Sequence, residues 1–100
     1  MTDLSSPAQS KPRLLFFYSA LSGASIRADG FLAQVLQRRR NHNTFQIHRI
    51  DINQRPDLAK RFQITSAPAI CVIDGNRVAA RTESPRGPTE LQQLLGPWLH

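Results

Sequence analysis

Arg13-Leu14-Leu15-Phe16-Phe17-Tyr18-Ser19-Ala20-Leu21-Ser22-Gly23-Ala24-Ser25 is the stretch that decides the fold of this 100-residue chain. Leu14 to Tyr18 is an unbroken run of five apolar or aromatic residues, too few for a helix and suited to a buried strand. From about Ser25 to Arg40 the pattern turns helical. Ile26, Phe31, Leu32, Val35 and Leu36 fall largely on one face, with Gln34, Gln37 and Arg38 opposite. Ser22-Gly23-Ala24-Ser25 therefore marks a strand–turn–helix junction. Serine suits a helix start, because its hydroxyl accepts from a free backbone N–H.

The rest of the chain extends this beginning. Gly30 costs about 1 kcal/mol relative to alanine inside a helix, so a bend is expected there. Asn41-His42-Asn43 closes the helix. Phe45 to Ile52 is a second core strand, with Phe45, Ile47, Ile50 and Ile52 of both parities, which suits cover on both faces. Pro56-Asp57-Leu58 opens a short helix whose inner face is Leu58, Ala59 and Phe62. Ile64 to Pro68 is an irregular connection and Ala69 to Ile73 a third strand. Asp74-Gly75-Asn76 is a hairpin turn, and Arg77 to Thr82 returns as a short, polar edge strand. After the loop Glu83 to Gly87, a last helix starts near Pro88 with Leu91, Leu94, Leu95 and Trp98 at helical spacing. The first two strands should be parallel through a right-handed crossover. Central strands apolar on both sides need helices on both faces. The fold class is α/β: a three-layer sandwich with a central mixed sheet of about four strands.

Composition sets the bounds. The length suits one domain, read as 13–100, after a flexible polar tail at 1–12. The start has no apolar segment, so a signal peptide is not expected. No apolar run approaches the roughly 20 residues that span a bilayer, so no membrane role is expected. The single cysteine, Cys71, cannot form an internal disulfide, and a reducing cytoplasm is the expected location. Net charge is +6, and eleven of the thirteen basic residues are arginine, which favours anionic partners without naming one.

Three stretches together resemble the thioredoxin family, over about Arg13 to Leu99. The run Phe16 to Ser25 resembles the family's strand and its Trp-Cys-Gly-Pro-Cys turn, with Leu21, Ser22, Gly23, Ala24 and Ser25 in those five places. Ile50 to Ala59 resembles the strand end and turn into the family's short helix. Ile64 to Ile70 resembles the stretch holding its cis-proline, here Pro68. Gly30 stands where related chains often kink the helix with proline. The departures carry as much meaning. In the family the first cysteine attacks a substrate disulfide and the second resolves the mixed disulfide. Ser22 and Ser25 have no thiol for either step. The family's buried acid is matched by Phe16 and its tryptophan by Leu21, and an extra residue stands near Glu83 and Ser84.

The resemblance implies a protein without dithiol exchange, retained to bind a protein or an extended peptide in a groove beside Pro68. Leu21, Gly23, Ala24, Ala67 and Pro68 are the expected contacts, with the Ala67 backbone pairing as a strand edge does. Ser22 and Ser25 are expected to cap rather than react. A serine nucleophile needs a base within reach, and His42, His48 and His100 all lie elsewhere in the pattern. Two rivals stand beside this reading. One is thiol chemistry through Cys71, or a cysteine-free variant of an active thioredoxin; a buried lone cysteine more often packs as a small hydrophobe. The other is an arginine-driven binder of nucleic acid or acidic protein. Arg38-Arg39-Arg40 suits a helix C-terminus, where the dipole favours cations, but could join Arg27, Arg49, Arg55 or Arg61 in a patch. No aromatic residues interleave with these arginines as a single-strand groove requires. No zinc spacing, phosphate loop or dinucleotide fingerprint occurs, so neither metal nor cofactor is expected. A monomer or weak dimer is the expected state.

Overall fold

The computed structural model describes residues 11–99. Most of the expected tail, 1–10, and His100 lie outside the described residues. The elements run β1 (Arg13–Tyr18), α1 (Gly23–Gln37), a 3-10 segment (Arg38–Asn43), β2 (Gln46–Asp51), α2 (Pro56–Arg61), β3 (Ala69–Asp74), β4 (Arg77–Glu83) and α3 (Pro88–Leu95). The strands form one mixed sheet in the order β2-β1-β3-β4. β1 pairs parallel with β2, and antiparallel with β3, which pairs antiparallel with β4. The hairpin between β3 and β4 turns at Gly75, whose φ of 68° favours glycine.

Alternation along β1 divides the core. Leu14 and Phe16 face one side, where they pack with Leu32, Val35, Ile70, Val72, Leu91 and Leu95 beneath α1 and α3. Leu15 and Phe17 face the other, against Ala59, Ile64, Ala69, Cys71 and Ile73 beneath α2. The three expected layers are therefore present. The chain end is fastened by Trp98, whose indole N–H donates to Asp74 Oδ2 at 2.9 Å. Trp98 itself lies beyond α3, although its spacing continues the helical pattern.

Several expectations need correction. α1 begins at Gly23 and ends at Gln37, so Arg38-Arg39-Arg40 is not its last turn. Those arginines open the 3-10 segment instead. The cause is Asn41, which is buried. Its Nδ2 donates to the Arg38 carbonyl at 2.7 Å, and its Oδ1 accepts from Thr44 Oγ1 at 2.8 Å. That side chain supplies a partner where the α-helical ladder stops. α1 runs through Gly30 without interruption. β2 is an edge strand whose six side chains are all exposed or half-buried; Ile47 packs against the core beneath α1 and α3 and Ile50 against the one beneath α2, so each face is covered only in part. Ile26 is 70% exposed and does not join the inner face. Ser25 and Ala28 take the inward positions one and two turns before Leu32.

The helix-face assignment can be checked by urea unfolding. Leu32→Ala should cost about 2–5 kcal/mol, because it opens a cavity in the core. Ile26→Ala should stay within about 0.5 kcal/mol. Equal losses would mean that α1 is rotated from the orientation described.

Candidate functional site

The ends of all four strands converge around the Ser22 junction. β1 passes through Tyr18 into a turn in which the Ser22 N–H donates to the Ser19 carbonyl at 3.0 Å. β3 begins at Ala69, opposite Phe17. The Ala67-Pro68 segment therefore enters the sheet at the end where β1 leaves it. β4 ends at Glu83, opposite Ala69, and the Ser84 N–H donates to the Pro68 carbonyl at 2.8 Å. On the other flank, the Ile52 N–H donates to the Tyr18 carbonyl at 3.0 Å, and Asn53 Nδ2 donates to Ser19 Oγ at 3.4 Å.

Both motif serines act as hydrogen-bond acceptors in this turn. Ser22 is the N-cap of α1, and its Oγ accepts from the Ser25 N–H at 3.1 Å. Ser25 is buried, and its Oγ accepts from the Ser19 N–H at 3.1 Å. The two hydroxyls thus join the strand end to the helix start. No base reaches Ser22 among the described residues. His42 lies in the 3-10 segment beyond the far end of α1, and His48 stands on β2 opposite Leu15. The third candidate, His100, lies outside the described residues.

The other expected contacts divide by exposure. Leu21 is 95% exposed and Gly23 is exposed, while Ala24 and Ala67 are half-buried. Pro68 is buried, and the Ala67–Pro68 bond is cis. Neither the N–H nor the C=O of Ala67 makes a hydrogen bond among the described residues. Ile26, in the first turns of α1, adds a second exposed apolar side chain near Leu21 in the chain. Inward grouping with Phe31 and Leu36 hides this role. The missed signal is that Ile26 falls opposite Val35 at 100° per residue. A cavity of about 250 Å³ adjoins the junction, lined in part by Phe16, Tyr18, Ser25 and Ile26. Phe16, at the position of the family's buried acid, is core here.

The loop bordering the site is held by Glu90. Its carboxylate accepts from Thr82 Oγ1 at 2.8 Å and from the Arg86 N–H at 3.2 Å. These bonds, the Thr82 hydroxyl first, hold it below the usual glutamate range. Within this loop Ser84 adopts φ 49°, a left-handed conformation that costs a non-glycine residue on the order of 1 kcal/mol.

Cys71 sits away from the mouth. It is fully buried in β3, paired in register with Leu15 and Arg81. Burial pushes its thiol pKa up, Arg81 draws it down, and Glu83 raises it again. A thiol held in its protonated form offers little nucleophile. Among the described residues, no three His, Cys, Asp or Glu side chains come together as metal ligands do. No helix among them is long and apolar enough to cross a membrane.

No family model matches the sequence, and no curated protein is significantly similar to it. Solved structures are similar in shape. Trxlp from Edwardsiella tarda superposes with a TM-score of 0.78 at 12% identity, over 89% of this chain and 85% of that one. The germline-specific thioredoxin Deadhead from Drosophila melanogaster gives 0.77 at 18% identity, over 92% and 85%. Desulfothioredoxin from Desulfovibrio vulgaris gives 0.75 at 21% identity, over 97% and 90%. The chain has the thioredoxin fold. Within it the Cys-x-x-Cys motif is absent, since the one cysteine is Cys71. The thioredoxin-fold frame is present and the sulfur at the junction is not.

Two measurements check this site. Ser22→Ala should lower stability by about 1 kcal/mol and Ser22→Gly by only a few tenths, as loss of a cap does. Iodoacetamide should leave Cys71 unmodified in the native protein and label it fully in urea. Rapid native labelling, read by mass spectrometry, would contradict the burial described.

Proposed function

We propose that this thioredoxin-fold chain performs no dithiol–disulfide exchange and binds an extended peptide segment of a partner protein at the mouth beside Pro68. The observation that carries this reading is the unpaired Ala67 backbone. An N–H and C=O left free at a sheet's end form a short edge onto which an extended peptide can add, and such pairing needs no sulfur. The exposed side chains of Leu21 and Ile26 offer apolar contacts at the same junction. Serine hydroxyls that each accept a backbone N–H in the turn support a fixed, preorganised platform rather than a reacting centre.

A phage-displayed library of extended peptides, selected on the full chain, tests the reading. Selected peptides should slow hydrogen exchange at the Ala67 amide. They should also bind the Leu21→Asp/Ile26→Asp double variant at least about tenfold more weakly, equivalent to about 1.4 kcal/mol. An empty selection, or peptides indifferent to both readouts, would defeat the proposed surface. Insulin reduction with dithiothreitol should run no faster than the protein-free control; faster turnover would restore the redox reading.

A further inference from the structure

The two faces of the sheet are unequally covered. Among the described residues, one carries α1 and α3, of 15 and 8 residues, and the other carries α2 alone, of 6 residues. α2 packs over Phe17, where Phe62 meets the Phe17 ring at 5.8 Å between centroids. Towards the opposite end of the strands, away from the Ser22 junction, the face lies open as a groove of about 870 Å³. Its apolar lining includes Ile50, Leu58 and Phe62, which are half-buried, and Val78, which is 41% exposed, above the buried Leu15 and Ile73.

The polar lining has one sign. Arg13, Arg49, Arg55, Arg61 and Arg77 border the groove with His48 and Asn76, and among the described residues no carboxylate lines it. Arg49 is paired with Asp29 and Arg55 with Asp57, each at 3.0 Å. Arg13, Arg61 and Arg77 have no ion pair among the described residues. Arg61 lies over the Phe62 ring at 5.8 Å, so this cation is already placed against the apolar lining.

We propose that this groove docks an acidic amphipathic helix of a partner protein, with its apolar stripe against Ile50, Phe62 and Val78 and its carboxylates against Arg13, Arg61 and Arg77. A sheet apolar on both faces is completed by helices on both faces, and α2, of six residues, leaves Val78 exposed on this one. The floor is aliphatic and its one ring belongs to Phe62, so it lacks the stacked aromatic platform that single-stranded nucleic acid uses. A second copy of this chain, net charge +6, would set arginines against arginines. Residues 1–10 of the chain itself carry one carboxylate, Asp3, and cannot match the rim. The proposal does not use the Ala67 edge and stands apart from the peptide reading.

The test uses fluorescence anisotropy on the full-length chain. The probe is a labelled peptide of about 14 residues with leucines at helical spacing and glutamates elsewhere. Controls are a scrambled peptide of the same composition and a single-stranded RNA oligonucleotide. The amphipathic probe should bind, and the scrambled one should bind at least about tenfold more weakly. Arg61→Glu/Arg77→Glu, two exposed positions, should weaken binding at least about tenfold, and Val78→Asp should do so through the floor. Arg38→Glu, outside the groove, should leave affinity within about twofold. Thermal unfolding of each variant shows whether it is folded. Equal binding of the scrambled peptide, tighter binding of RNA, or equal losses from Arg38→Glu would each overturn the proposal. So would concentration-dependent dimerisation that blocks the probe, or absence of binding by the unmodified chain.

Discussion

β1 holds the molecule together because it is paired along both edges and buried on both faces. Phe17 shows the constraint at one residue. It sits opposite Ile50 across the parallel pairing and opposite Ala69 across the antiparallel one, and its side chain is wholly buried. A strand in that position must be apolar at every step, which is why Leu14 to Phe17 reads as an unbroken run. It also fixes what lies at its end. Once Phe17 is opposite Ala69, the chain leaving β1 and the chain entering β3 have to emerge side by side. The Ser22 turn and the Ala67–Pro68 segment leave the sheet at the same end although more than forty residues separate them in sequence.

The junction shows how a fold built around a reactive pair can be kept without it. Ser22 receives the Ser25 amide and Ser25 receives the Ser19 amide. Buried backbone donors need partners, and two hydroxyls provide them at a helix start that lacks acidic residues in its first turn. Phe16 follows the same logic. A carboxylic acid at this buried position would carry a desolvation cost, and a phenylalanine adds to the core instead.

The outer layers divide the chain into a completed side and an unfinished one. α1 and α3 close one face, and the Asp74–Trp98 hydrogen bond holds the C-terminal turn against it. α2 closes only part of the other face, and the arginines gather around the remainder. Positive charge that looks scattered along the sequence is thereby concentrated, because Arg13, Arg61 and Arg77 come from β1, α2 and β4. Arg38 and Arg40, from the densest basic run in the sequence, do not line this groove. Asn41 ends the helix before them and leaves them in a 3-10 segment.

What the sequence by itself determined is the type and order of the elements, the turn at Gly75, and the position of two serines at the start of a helix. These depend on local spacing, on backbone freedom at one glycine, and on side chains that cap their own neighbours. What only the tertiary structure decided is the rank of each strand and the direction each surface faces. Apolar residues of both parities in β2 read as a central strand, yet pairing places it at the edge, because burial depends on what lies alongside. Ile26 belongs to an apolar helix but points to solvent, since its small neighbours Ser25 and Ala28 take the inward places against the sheet. The groove beside α2 was not legible at all. It depends on how far a six-residue helix reaches across a sheet, a distance that no sequence pattern records.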